Sequence, residues 1–171
     1  MSSREEHVTH APKEIKFLVV IVSTSRSKDR KKADISGELA LSLLEREGFK
    51  VINKIVIPDD PDKIDEIITK YTNKVDVILF SGGTGISPTD ITPDVVLRRV
   101  KKTIPGFGEL FRYLTYEELG ATAMTTRACA GVIDNTIIFS IPGSPHAVEL
   151  AIKKLIAPEI RHMVTHVRGL V

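Results

Sequence analysis

Residues 16–23 (KFLVVIVS) and 75–80 (VDVILF) are short, β-branched and almost wholly apolar. Runs of this length without polar alternation read as strands buried on both faces. Such strands need helices above and below them, which restricts the chain to strand–helix units around a parallel sheet. The intervening segments agree. Residues 33–48 place Ile35, Leu39, Ala40, Leu43 and Leu44 on one helical face, with Gly48 as the stop. Residues 49–57 form a second predicted strand. Asp60-Pro61 opens a helix with a capping carboxylate and a first-turn proline, burying Ile64, Ile67 and Ile68. Thr92-Pro93-Asp94 opens another, with Thr92 as the expected cap. Residues 105–120 read as mostly helical. Residues 130–133 and 136–141 flank Asp134-Asn135, which predicts a hairpin at the sheet edge. A last helix starts near Pro145, and Pro158 is expected to kink it or to begin a new segment.

Length and composition narrow the function classes. The 171 residues suit one domain, with residues 1–14 as a flexible polar arm and 15–171 as the folded unit. The single cysteine, Cys129, excludes an internal disulfide and suits a reducing cytoplasm, the expected location. No apolar run approaches the ~20 residues of a membrane span, and the N-terminus has no signal-peptide core. A net charge of +2 gives no argument for nucleic-acid binding, but it allows a local basic patch for an anionic ligand.

In an open parallel sheet, ligands bind beyond the C-terminal ends of the strands. Residues 24–32, 58–62, 82–90 and 142–146 fall there. Gly82-Gly83-Thr84-Gly85 lies between a strand and a helix, where glycines let backbone N–H groups surround an anion. The same residues also suit an ordinary tight turn. They match neither a Walker loop nor a dinucleotide fingerprint. Asp60 is explained as a cap, but Asp59 is not, and Asp90 is likewise unassigned. Two carboxylates at adjacent strand ends can hold Mg²⁺ against phosphates, or stand as solvated loop residues. Pro142-Gly143-Ser144-Pro145-His146 is a second candidate anion loop or a turn capped by Ser144. Arg26, Arg30, Lys31 and Lys32 form a charged run after the first strand. Glu109, Arg112 and Arg127 read as structural ion-pair partners. Cys129 reads as a small buried residue, and His162 and His166, four apart, as surface or interface residues.

Taken together, Ser81 to Asp94 (SGGTGISPTDITPD), Pro105 to Arg112 (PGFGELFR) and Ile141 to Pro145 (IPGSP) resemble the MoaB/MogA family of molybdenum cofactor biosynthesis proteins, in that family's order. The resemblance covers about residues 16–162, and residues 116–158 are most similar to the MoaB branch. It implies a three-layer α/β/α sandwich, the molybdopterin-binding fold. It also implies a molybdopterin adenylyltransferase, which transfers AMP from Mg-ATP to the molybdopterin phosphate and releases pyrophosphate. On that basis Asp59 and Asp90 are the expected catalytic and Mg²⁺-binding residues. Ser25, Gly82, Gly83, Thr84, Gly85, Glu109, Pro142, Gly143 and Ser144 are expected to bind molybdopterin or nucleotide. The expected partners are further copies of the chain, as a trimer or hexamer, and a MoeA-type metal-insertion protein that receives the product. Many members have a basic residue just before the loop aspartate, where this chain has Thr89. Some MoaB-branch proteins lack the first aspartate; this chain keeps Asp59, which favours catalysis over a purely pterin-binding or scaffold role on the same fold.

Overall fold

A computed structural model describes residues 12–29 and 33–170. Most of the expected N-terminal arm, residues 1–11, lies outside the described residues, as do Arg30, Lys31 and Lys32. Strand β1 (Lys16–Val22) leads into a short helix α1 (Thr24–Lys28), where a loop was expected. Ser23 explains the difference, because its hydroxyl accepts a hydrogen bond from Arg26 N and nucleates one turn. Helix α2 (Ile35–Arg46) is capped by Asp34, whose carboxylate accepts from Gly37 N at 3.0 Å. Strand β2 (Lys50–Ile57) follows. Helix α3 (Pro61–Tyr71) starts as expected, with Asp60 accepting from Asp62 N at 2.8 Å, and buries Ile64, Ile67 and Ile68.

Strand β3 (Val77–Ser81) is buried along its whole length. Helix α4 (Thr92–Arg99) corrects one expectation: Thr92 is its first residue and not its cap, and no side chain caps this helix. The two-residue strand β4 (Lys102–Thr103) was not foreseen; so short a segment has no periodicity to read. Helix α5 (Pro105–Leu119) ends at Gly120 with φ 68°, and a 3₁₀ turn (Gly120–Thr125) leads on. The hairpin strands β5 (Cys129–Ile133) and β6 (Thr136–Ile141) pair antiparallel, turning at Asp134 with φ 50°. Helix α6 (Pro145–Leu150) widens into a π-helical stretch (Ala151–Ile156) before α7 (Ala157–Val167). Pro158 has no N–H to give the preceding turn, and the chain re-registers ahead of it.

The six strands form one sheet in the order β2-β1-β3-β6-β5-β4. β2, β1, β3 and β6 run parallel, while β5 and β4 complete an antiparallel end. Alternate residues of each central strand face opposite layers. Phe17, Val19, Leu79 and Phe139 pack with α2, α5, α6 and α7; Leu18, Val20, Ile78, Phe80 and Ile138 pack with α3 and α4. This is the three-layer α/β/α sandwich. Four phenylalanines, Phe17, Phe80, Phe111 and Phe139, are fully buried within it.

At the N-terminal end of the parallel strands, Asp76 is buried at 2% exposure. Its carboxylate accepts from Lys16 N at 2.9 Å and pairs with Arg168, so it joins the start of β1 to the C-terminal segment. Removing it leaves a backbone N–H and a guanidinium without their acceptor. Asp76→Ala is expected to cost about 3 kcal/mol in urea unfolding, somewhat less than a fully buried pair because Arg168 is partly exposed.

Candidate functional site

At the other end of the sheet, three chain segments leave β1, β3 and β6 side by side. Gly82 makes their approach possible. It has φ 118°, and a Cβ there would stand 2.2 Å from the Val22 carbonyl oxygen. Gly143 packs against it from the β6 side; a Cβ on Gly143 would lie 3.3 Å from Gly82 Cα. Gly82 N donates to Ile141 O at 2.9 Å, and Ser36 Oγ donates to Gly143 O at 2.7 Å. Gly83 takes φ 64°, so two successive residues adopt conformations that side chains disfavour. The Gly-rich turn is therefore a close-packed junction as well as an array of N–H groups.

The two unassigned carboxylates meet this turn at opposite ends. Asp59 leaves β2 and is held by Thr24. The Thr24 amide donates to Asp59 Oδ2 at 2.9 Å and its hydroxyl at 2.7 Å, while Asp59 N donates to the same hydroxyl at 3.0 Å. Its other oxygen, Oδ1, lies 3.2 Å from where a Gly83 Cβ would stand. Asp90 accepts from Ser87 N at 3.0 Å, and its Oδ2 lies 2.7 Å from the place of a Gly85 Cβ. Glycine at 83 and 85 thus leaves room for both carboxylates. Thr92 Oγ1 lies 2.5 Å from the place of the Gly83 Cβ, and among the described residues it is buried without a hydrogen-bond partner.

The other expected residues divide. Thr84 is buried and gives its carbonyl to Arg127 N at 2.9 Å. Pro142 O accepts from Ser81 Oγ at 3.4 Å. Ser144 caps α6, its hydroxyl accepting from Ala147 N at 3.2 Å. Ser25 is exposed on α1, 3.3 Å from the Ser23 hydroxyl. Glu109 lies exposed on α5, and no hydrogen bond or ion pair among the described residues joins it to the strand-end loops. Arg26 Nε donates to Ala33 O at 3.3 Å. Arg112 donates to Ala128 O at 3.1 Å, a backbone partner where an ion pair was expected. His146 pairs with Glu118. Sequence reasoning passed over Thr24 and Ser36, whose partners lie far along the chain; a hydroxyl just past a strand end was the only signal for Thr24.

Cys129 is partly buried, and desolvation pushes its thiol up to about 11. A thiol that stays protonated is a poor nucleophile. Among the described residues, no group of three or more His, Cys, Asp or Glu could hold a metal ion, and no helix is long and apolar enough to cross a membrane.

The chain is an open α/β sheet protein of the class in which ligands bind beyond the C-terminal strand ends, and here that edge bears two glycine-rich turns and two carboxylates. The chain belongs to the MoaB/MogA family: the family described as "Probable molybdopterin binding domain" matches residues 18–162. It is 42% identical over 161 residues to molybdenum cofactor biosynthesis protein B of Bacillus cereus, covering 92% of this chain and 94% of that one. It is 38% identical over 169 residues to the protein B of Bacillus subtilis, covering 97% and 98%. Among solved structures, the tungsten cofactor synthesizing protein MoaB from Pyrococcus furiosus superimposes with a TM-score of 0.85 at 34% identity, over 92% of this chain and 99% of that one.

Two outcomes are expected from this geometry. Gly82→Ala places a methyl against the Val22 carbonyl in a strained backbone conformation, and should lower stability by about 3 kcal/mol in chemical denaturation. Iodoacetamide at pH 8 should label Cys129 about 100-fold more slowly in the folded than in the denatured chain. The sign follows from the raised thiol: its thiolate fraction grows only as pH rises toward the folded value.

Proposed function

We propose that this protein is a molybdopterin adenylyltransferase of molybdenum or tungsten cofactor synthesis. A phosphate oxygen of molybdopterin attacks the α-phosphorus of ATP. One P–O bond forms, the bond from the α-phosphorus to the bridging oxygen breaks, and pyrophosphate departs with that electron pair. The product is adenylylated molybdopterin. The observation that supports this reading most is the pair of carboxylates flanking Gly83 and Gly85, with Asp59 held by three hydrogen bonds to Thr24.

The reaction needs little covalent help. A phosphate is already a nucleophile, so the protonated Cys129 is not required. What the protein must supply is proximity and a fixed electrostatic setting for two anionic substrates. Gly82 N is already committed to Ile141 O, and the N–H groups of Gly83, Thr84 and Gly85 are the ones suited to hold phosphate or pterin. Thr24 orients Asp59 before any substrate arrives, which limits reorganisation during the reaction. The second glycine-rich turn, Pro142 to Ser144, borders the same junction through Gly143.

Asp59 and Asp90 fit Mg²⁺. They offer hard carboxylate oxygens and no sulfur or imidazole, and glycine at 83 and 85 lets both carboxylates lie against the turn. Two carboxylates alone do not complete a metal shell, so the remaining positions of a bound Mg²⁺ would fall to water and substrate phosphate. When bound, Mg²⁺ supplies charge compensation for the phosphates. The reading carries with it a homo-oligomer, trimeric or hexameric, and hand-over of the product to a MoeA-type metal-insertion protein.

Pyrophosphate release from Mg-ATP with purified molybdopterin tests the proposal. The wild type should turn over, and Asp59→Ala and Asp90→Ala should each lose about 100-fold or more in rate while remaining folded. A wild type that binds molybdopterin yet releases no pyrophosphate would sink the enzyme reading and leave a pterin-binding protein.

A further inference from the structure

We propose that Arg127 is a positioning residue of this site, holding the segment from Thr84 to Asp90 in the arrangement that presents the Asp90 carboxylate. The inference rests on the adenylyltransferase reading. Arg127 lies just ahead of β5, outside every glycine-rich or acidic motif of the chain. Among the described residues its hydrogen bonds nevertheless go to this loop and to the helix that follows it, from Thr84 to Asp94. Its backbone N–H donates to Thr84 O at 2.9 Å, and Nε donates to Gly85 O at 2.8 Å. One terminal nitrogen donates to Asp90 O. The other reaches both carboxylate oxygens of Asp94, at 2.8 and 2.9 Å.

Three of these acceptors are carbonyls, on Thr84 and Gly85 where the loop begins and on Asp90 where it ends. One rigid, planar group spans the opening and the close of the loop, so the distance between them is set by the width of a guanidinium. The ion pair with Asp94 is exposed and worth little by itself. It takes up one terminal nitrogen, while Nε and the other terminal nitrogen donate to the loop carbonyls. With Gly85 O and Asp90 O tied to Arg127, the Asp90 carboxylate accepts from Ser87 N and stands beside Gly85. Arg127 therefore acts through Asp90 and the Gly-rich turn, without touching substrate. Lysine cannot replace it, because a single ammonium cannot bridge two separated carbonyls and a carboxylate at these angles.

The test compares Arg127→Ala, Arg127→Lys and Asp94→Asn with wild type by three readouts: kcat for pyrophosphate release, the Mg²⁺ concentration at half-maximal rate, and the affinity for Mn²⁺-ATP by titration calorimetry. A positioning role predicts that both Arg127 variants lose about tenfold or more in kcat, need about tenfold more Mg²⁺, and bind Mn²⁺-ATP correspondingly more weakly. Asp94→Asn keeps the loop carbonyl bonds and should stay within about threefold of wild type on all three. If Arg127→Ala does not fold, Arg127→Lys is judged by the same criteria. Arg127 variants whose kcat and Mg²⁺ requirement match wild type, whatever their melting temperature, overturn the proposal. If the wild type binds Mn²⁺-ATP but shows no turnover, the adenylyltransferase reading falls, and Mn²⁺-ATP affinity alone decides the role of Arg127. Absence of Mn²⁺-ATP binding by the wild type overturns both.

Discussion

The contact between Gly82 and the Val22 carbonyl governs the working end of this molecule. A Cβ at that point would stand 2.2 Å from the oxygen, so β1 and β3 could not end side by side. Because they do, Thr24 follows β1 within reach of Asp59, and Gly143 closes in from β6. Each loop that borders the turn takes its position from that one absence of a side chain. A methyl group here would not merely destabilise the sheet; it would separate the groups that the site brings together.

The loops at this edge are held by the protein itself. Thr24 binds Asp59, Ser36 binds the carbonyl of Gly143, and Arg127 spans Thr84 to Asp90. Each of these bonds joins segments distant in sequence. Surface loops are commonly the most mobile part of an α/β domain, but these carry a network that fixes carboxylates and turns before substrate binds. That suits the adenylyl transfer proposed above, in which a protein contributes electrostatic stabilisation and alignment more than covalent participation.

Much of this architecture is legible in the sequence because it rests on local patterns. The apolar runs at residues 16–23 and 75–80, the Asp60-Pro61 helix start and the Asp134-Asn135 turn all appear where periodicity and turn chemistry place them. Asp59 and Asp90 stand out in the sequence because neither has a helix to cap, although Asp90 does accept from Ser87 N within its own loop. What escapes is non-local. Thr24 looks like one more polar loop residue until β2 brings Asp59 beside it. Arg127 reads as an ion-pair partner, since carbonyl oxygens, its main acceptors, leave no trace in a sequence. Thr92 has the residue type of a cap, but the helix begins one residue earlier than that role allows, and its hydroxyl ends buried.

The strand order has a consequence for how the chain acquires its shape. β6 is the last strand made, yet it lies inside the sheet, hydrogen-bonded to β3 on one side and β5 on the other. Until residues 136–141 leave the ribosome, β3, apolar but for Ser81, keeps one bare edge open to pairing with a strand of another chain. The fold is thus completed by late insertion, a long-range event that cannot be hastened by good local structure upstream. A nascent chain stalled before that point would leave this strand edge unpaired, the kind of exposed surface on which aggregation and chaperones act.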